Sequence, residues 1–500
     1  MVSDNCVHPQ WLEPLAWFEQ RVFRPQEFET CPDWEPDVYS PEQPQMRISL
    51  DLPASRRLNL LPLIGVIFFV VCGGAYGLEP VVAAVGGGWA VALIALAPLV
   101  WSLPIALMVA ELSSAMPEDG GYYVWVRTAL GDFWGVQEAW WTVCYTFIDV
   151  AIYPVLFVNY LAFFYPWLRL DEHGSASWSV LLCRWAVALA VIASALLVNW
   201  WGVSAVGRSA VWNTALVLLP FAVLVVVALK PAGAAHEAWS LVARDLKTNH
   251  HAGLLTLGFS IVLWNYMGWD NTSTFAGEVN DARRNYPRAL GVVMLVTIAA
   301  YLAPVFAGLA VTSNPDAWSE SQGWPVIAAR AGGHWFGWLL AGAALVAMWS
   351  IFNSQLLYSS RLPYVMARDG WLPAPLAAVS RRTAMPVGAL IASCAVSSVF
   401  AALSFGKLVV TDVLLYSAAL SLEYGALIAL RWKQPEMERP FRVPGGWAGV
   451  VLVTLAPLGC AGFLLVSTLR DPDSDPRQLL VVAAAMASGA ALYYVRRKNH

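Results

Sequence analysis

Apolar runs of membrane-spanning length alternate with short polar connections along the chain, and twelve such runs can be placed. They lie at about residues 60–85, 89–115, 134–165, 178–199, 203–229, 255–278, 288–312, 335–360, 386–405, 409–430, 446–468 and 479–495. Helices of about 20 apolar residues cross a hydrocarbon core, so the pattern predicts an all-α membrane protein with about 12 transmembrane helices. Two runs are interrupted. Cys72-Gly73-Gly74-Ala75-Tyr76-Gly77-Leu78-Glu79 breaks the first, and Asn265-Tyr266-Met267-Gly268-Trp269-Asp270-Asn271 breaks the sixth. Each interruption puts flexible backbone and a carboxylate at a depth where lipid satisfies neither. Breaks five runs apart predict two repeats of five helices, followed by two added helices. With an odd number of helices per repeat, the second repeat inserts with opposite topology: a 5+5 inverted-repeat arrangement with helices 1 and 6 broken.

Composition supports this reading. The 500 residues are 58% hydrophobic and 13% charged, with mean hydropathy +0.56, outside the range of soluble domains. The net charge of -4 adds little, but the placement of charge does. With the N-terminus inside, most Lys and Arg fall in inner segments, including Arg127, Arg208, Arg283, Arg284 and Arg288. That bias predicts both termini cytoplasmic in a multi-pass protein of the plasma (inner) membrane. The expected organisation is a cytoplasmic N-terminal tail over 1–58, a transporter core over 59–430, and helices 11–12 with a short cytoplasmic C-terminus over 431–500. The tail is acidic and proline-rich, with no signal-peptide pattern.

Several chemistries find no motif. The seven cysteines are scattered without CxxC or metal-ligand spacing, and read as packed thiols. HExxH, GxSxG and P-loop patterns are missing, so neither an enzyme, a metal site nor a cofactor is expected. His250-His251 reads as a solvated pair in an outer loop, and Gly86-Gly87-Gly88 as a turn.

The acids within spans carry the chemistry: Glu79, Asp149, Asp270 and Glu423, with no Lys or Arg central in any span. A buried carboxylate without a counter-ion takes a proton, faces water or awaits a cationic ligand. In the third span Tyr145, Asp149, Tyr153, Leu156 and Asn159 or Tyr160 recur at helical spacing, and Glu138 continues the stripe. The tenth span repeats it with Asp412, Tyr416 and Glu423. Carboxylates among aromatic rings, with Tyr76 and Trp269 at the breaks, suit an ammonium group on an alkyl chain. At Gly73-Gly74 bare backbone can approach a ligand, half-helix N-termini favouring anions and unwound carbonyls cations. The plainer alternatives are close helix packing at the glycines and a protonated carboxyl bonded to a neighbouring helix.

Three segments resemble signatures of the amino acid–polyamine–organocation transporter superfamily over roughly residues 58–445. They are Glu111-Leu112-Ser113-Ser114-Ala115-Met116-Pro117 with Gly120-Gly121-Tyr122, Ala276-Gly277-Glu278 with Tyr286-Pro287-Arg288-Ala289, and Ser360-Arg361 with Arg368-Asp369-Gly370-Trp371-Leu372-Pro373. Within that superfamily Gly73 to Glu79, Phe133 to Glu138, Asp149 with Tyr153-Pro154-Val155-Leu156-Phe157, Trp269-Asp270, Leu422-Glu423-Tyr424 and Pro440-Phe441-Arg442-Val443-Pro444 resemble polyamine uptake transporters of plants and protozoa. The resemblance implies a secondary transporter importing polyamines with H+ or Na+ coupling. Gly73, Gly74, Tyr76, Glu79, Asp149, Tyr153, Trp269 and Asp270 would bind substrate, and Glu138 and Glu423 would serve coupling or release. Ser359 and Ser360 would offer oxygens for a sodium ion. One departure stands out: Asn159 replaces a second acid common in that group, which leaves room for a diamine or a cationic amino acid. The alternative is therefore an amino acid permease, cationic or neutral, whose Gly73-Gly74 amides hold the substrate carboxylate. A membrane sensor that does not transport is a third reading.

Overall fold

The computed structural model describes residues 57–170, 176–248, 252–319, 323–380, 382–402, 406–470 and 476–497. Most of the expected tail and His250-His251 lie outside the described residues. The helices are α1 Leu60–Val71, α2 Glu79–Ala97, α3 Leu103–Ala115, α4 Tyr122–Leu130, α5 Asp132–Phe164, α6 Trp178–Trp200, α7 Val203–Leu229 and α8 Ala234–Asp245. They continue as α9 Ala252–Asn265, α10 Ala282–Val311, α11 Gly323–Gly332, α12 His334–Arg368, α13 Val387–Phe400, α14 Gly406–Lys433, α15 Gly446–Arg470 and α16 Pro476–Arg497.

Among the described residues nine helical stretches are long and apolar enough to span a bilayer. Three shorter apolar helices, Leu60–Val71, Leu254–Asn265 and Val387–Phe400, complete the predicted series of twelve. The first span continues from α1 across its break into the start of α2, which then turns at Gly86 into the second span. That second span passes through a wide turn at Pro98–Ser102 into α3. The sixth continues from α9 into two single turns, Asn271–Thr274 and Ala276–Glu278. Counting crossings, α1 leaves the face where Leu58 lies (the proximal face) and α9 leaves the opposite, distal face. The two five-helix sets thus run in opposite senses, as an inverted repeat requires.

Helices α5, α12 and α14 form the interior, while α6, α7, α15 and α16 keep much of their apolar surface outward, as lipid-facing helices do. Three short helices, α4, α8 and α11, lie outside the predicted spans. The Gly86-Gly87-Gly88 turn bears on α8, whose Asp245 accepts a 2.6 Å bond from the Gly88 amide at the start of the second span. A carboxylate there satisfies a helix N-terminus.

The signature residues build the proximal face. Glu111 at the end of α3 is fully buried and ion-paired with Arg431 and Arg439, and it accepts the Val443 amide at 2.7 Å. This ties the Pro440–Pro444 loop to the second span. Glu278 receives a two-pronged bond from Arg361, at 2.8 and 3.1 Å. The chain entering at Leu58 pairs with the same segment: Leu58 donates to the Glu278 carbonyl at 2.8 Å, and Asn280 donates to Leu58 at 2.9 Å. Asp369 accepts from Arg127 at 2.6 Å and Tyr123 at 2.7 Å.

Candidate substrate site

The two breaks meet at the centre of the bundle. Positive φ at Gly73 (65°) and Gly74 (96°) turns the chain out of α1, and Gly268 (89°) does the same after α9. The freed carbonyls are satisfied by protein. Tyr301 of α10 donates to the Asn265 carbonyl at 2.7 Å and lies 3.4 Å from the carbonyls of Val71 and Cys72. Asn265 itself donates to the Gly77 carbonyl at 3.3 Å, bridging one break to the other.

Between them lies a cavity walled by Cys72, Tyr76, Asp149, Tyr153, Trp264, Asn271 and Gln355, with Phe69, Leu156 and Ile351 as apolar lining. It measures about 20 Å³ to a water-sized sphere, room for a single water. Asp149, 3% exposed, is its one carboxylate. Trp264 Nε1 and the Tyr153 hydroxyl donate to Asp149 Oδ1 at 3.0 and 3.2 Å, and Tyr358 to Oδ2 at 3.4 Å. Trp264 stacks on Tyr153, with centroids 5.9 Å apart and planes inclined by 19°. Among the described residues Asp149 has aromatic donors and no cation in ion-pair contact.

The cavity is sealed on both sides. Distally, Tyr76 donates to the Leu340 carbonyl at 3.0 Å and contacts the rings of Phe221 (4.8 Å) and Tyr160 (5.3 Å). Trp324 of α11 closes over them, donating to the Ala75 carbonyl at 2.8 Å. Proximally, Tyr416 donates to Asp270 at 2.5 Å and Tyr145 to Asn271 at 2.6 Å, their rings 5.3 Å apart.

Below that pair lies a second group of acids. Glu138, Asp270 and Glu423 are electrostatic neighbours. One oxygen of Glu138 and one of Glu423 have no hydrogen-bond partner among the described residues, and the nearby Tyr122 hydroxyl has none either. Asp412 is buried beside Asp149, with neither oxygen hydrogen-bonded among the described residues.

The amino acid permease pattern matches residues 58–485. The chain belongs to the amino acid permease family. The polyamine transporter RMV1 of Arabidopsis thaliana is 32% identical over 441 residues, covering 87% of this chain and 84% of the relative. The polyamine transporter PUT1 of Oryza sativa subsp. japonica is 34% identical over 451 residues, covering 90% and 81%. An uncharacterised transporter of Mycobacterium tuberculosis (strain ATCC 25618 / H37Rv) is 30% identical over 357 residues, covering 69% and 74%. This permease is therefore a multi-pass membrane transporter rather than an enzyme, of the kind that moves small organic cations or amino acids.

Within the permease the expected residues separate. Tyr76, Asp149 and Tyr153 share the cavity wall. Asp270, expected like Asp149 to bind substrate, is not on the cavity wall and lies with Glu138 and Glu423, because the turn at Gly268 carries it past the cavity to Tyr416. Trp269, expected to line the alkyl portion, is fully buried with its indole N–H bound to the Tyr266 carbonyl at 2.9 Å. Trp264, one and a half turns earlier, occupies the wall in its place. Glu79 does not face the cavity: its carboxylate accepts from Gly77 N (2.7 Å), Tyr160 (2.8 Å) and Trp324 N (3.4 Å), holding the distal closure together.

Gly73 and Gly74 serve close approach as well as turning. A side chain on Gly73 would collide with Ile351, and one on Gly74 would come 2.8 Å from Val217. The Gly73 amide already donates to the Phe68 carbonyl at 3.0 Å. The hydroxyls of Ser359 and Ser360 donate to carbonyls of their own helix, at 3.3 and 2.9 Å. Asn159 accepts from Arg184 of α6, which also donates to the Leu168 carbonyl. Its side chain is engaged beside the cavity rather than on its wall.

Proposed function

We propose that this permease imports polyamines of the putrescine and spermidine type across the plasma membrane, with its proximal face and both termini in the cytoplasm. The observation that carries the reading is Asp149, a buried carboxylate on the cavity wall held by neutral aromatic donors. An ammonium group entering there replaces an uncompensated charge with an ion pair, and the rings of Tyr153, Trp264 and Tyr76 enclose the alkyl chain. The printed names of the Arabidopsis and rice relatives point the same way. The amino acid alternative asks the Gly73-Gly74 amides to hold a carboxylate; the Gly73 amide already donates to the Phe68 carbonyl, and the Gly74 amide faces Cys72 Sγ at 3.4 Å.

For coupling, H+ is favoured over Na+. Three carboxyl groups gathered out of water, with one oxygen of Glu138 and one of Glu423 unbonded among the described residues, repel one another unless a proton is taken up. The Glu138–Asp270–Glu423 group then takes up a proton and returns it toward the cytoplasm.

The test is uptake of labelled putrescine into liposomes holding the purified protein, with and without an inward proton gradient. Spermidine, arginine and leucine are the competitors. The expected result is gradient-stimulated uptake blocked by spermidine but not leucine, and abolished by Asp149→Asn. Accumulation of arginine or leucine without putrescine would move the protein to the amino acid branch.

A further inference from the structure

Resting on the polyamine reading, we infer that Gln355 is a second substrate-binding residue, one that selects for the number of N–H donors on the substrate's ammonium group. Gln355 lies on α12, 2% exposed and on the same cavity wall as Tyr153 and Asp149. Its Nε2 donates to the Tyr153 hydroxyl at 3.0 Å. Its Oε1 has no hydrogen-bond partner among the described residues.

Proton accounting fixes which end of the amide is which. Tyr153 has one hydroxyl hydrogen, and that hydrogen goes to Asp149 Oδ1. Toward Gln355 the hydroxyl can therefore only accept, so the amide NH2 must face it. Asp149, an acceptor as well, also lies within reach of Gln355 and makes the same demand. Both neighbours turn Oε1 away from themselves. A buried amide oxygen left unbonded costs free energy unless something fills it. The cavity has room for one water, and a substrate N–H that displaces that water must take over its bond.

A primary ammonium carries three N–H donors. One pairs with Asp149 and a second reaches Gln355 Oε1. A guest with a single N–H satisfies Asp149 and leaves Gln355 empty. Asp149 thus answers to charge, and Gln355 counts donors. Neutral and placed on a different helix, Gln355 falls outside the stripe of acids and tyrosines that marks the third span.

The experiment compares putrescine with N,N,N′,N′-tetramethylputrescine, which keeps one N–H at each end. Both are run against wild type and Gln355→Leu in reconstituted liposomes. The expected result is that Gln355→Leu raises the half-saturation concentration for putrescine about tenfold or more. Its inhibition constant for the tetramethyl compound stays within about twofold of wild type. Equal loss for both compounds in Gln355→Leu would assign Gln355 a merely structural role and overturn the inference. An unchanged putrescine constant would overturn it as well. Should wild type accumulate arginine and not putrescine, the polyamine reading fails. The same comparison made with arginine then decides Gln355 separately: an unaffected constant in Gln355→Leu removes the assignment.

Discussion

Tyr301→Phe removes one hydroxyl from the point where both helix breaks converge. The 2.7 Å bond to the Asn265 carbonyl holds the single hydroxyl hydrogen, and the Val71 and Cys72 carbonyls at 3.4 Å share it weakly. A net hydrogen bond contributes about 1 kcal/mol, and a buried carbonyl left without a donor costs about 1–3 kcal/mol. The closed arrangement of the breaks should therefore lose about 1–3 kcal/mol, which raises local opening roughly 5- to 150-fold. Hydrogen exchange of the purified protein in lipid nanodiscs reads this directly. Amides of residues 72–78 and 265–270 should exchange faster by that factor, while the Glu111–Arg431 region keeps wild-type protection. Tyr266→Phe is the comparison: its hydroxyl donates at 3.1 Å to the Ile94 carbonyl on α2, so it should loosen the second break alone. Unchanged exchange at both breaks in Tyr301→Phe would refute the idea that this hydroxyl couples them.

Two further outcomes follow from burial. Glu278→Gln leaves Arg361, fully buried, without its counter-charge, and should cost about 3–5 kcal/mol as a lowered melting temperature in detergent. The pair Glu278→Leu with Arg361→Met should recover most of that loss, and a single variant melting like wild type would count against the ion pair. Gly121→Ala places a methyl 2.6 Å from the Ser273 carbonyl carbon at a φ of 39°. It should abolish a monodisperse peak on size exclusion; a normal peak would show that the α4 entry turn yields easily.

Much of the fold is legible in the sequence, because glycines and acids at bilayer depth stand out against apolar residues. The breaks at Gly73-Gly74 and Gly268 and the acids on α5 and α14 are of that kind. Trp264 was harder to choose over Trp269. Both flank the break, and which indole faces the cavity depends on the turn at Gly268, whose direction no pattern encodes. Tyr301 and Gln355 left no signal. The partners of Tyr301 are backbone carbonyls on two distant segments, and Gln355 is neutral and sits outside the acidic stripe. Asn159 invited a reading from missing charge alone, whereas its contact is Arg184 on the neighbouring helix. The short helices α4, α8 and α11 escaped because they lack the apolar length that identifies a span.

The register of α5 and α14 bears on how substrate and proton coexist. Glu138 and Asp149 are eleven residues apart, as are Asp412 and Glu423. Eleven residues make three turns, about 16 Å, so each helix presents both acids on one face. The helices run in opposite directions, which sets Asp149 beside Asp412 and Glu138 beside Glu423. Tyr145 and Tyr416, each four residues from the upper acid of its helix, meet between the layers. On the proposed reading an ammonium occupies the upper layer and a proton the lower. Two positive charges at an effective dielectric constant of about 20 repel by about 4 kcal/mol at 4 Å but only about 1 kcal/mol at 16 Å. Cations sharing one layer would exclude each other and drive exchange; cations in separate layers can be bound at once, which is what symport demands. Lowering the external pH should then raise the maximal rate of putrescine uptake while leaving its half-saturation concentration within about twofold, because repulsion across the layers is only about 1 kcal/mol before screening. A half-saturation concentration rising in proportion to external proton concentration would mean competition for a single layer, and would remove the two-layer argument for symport.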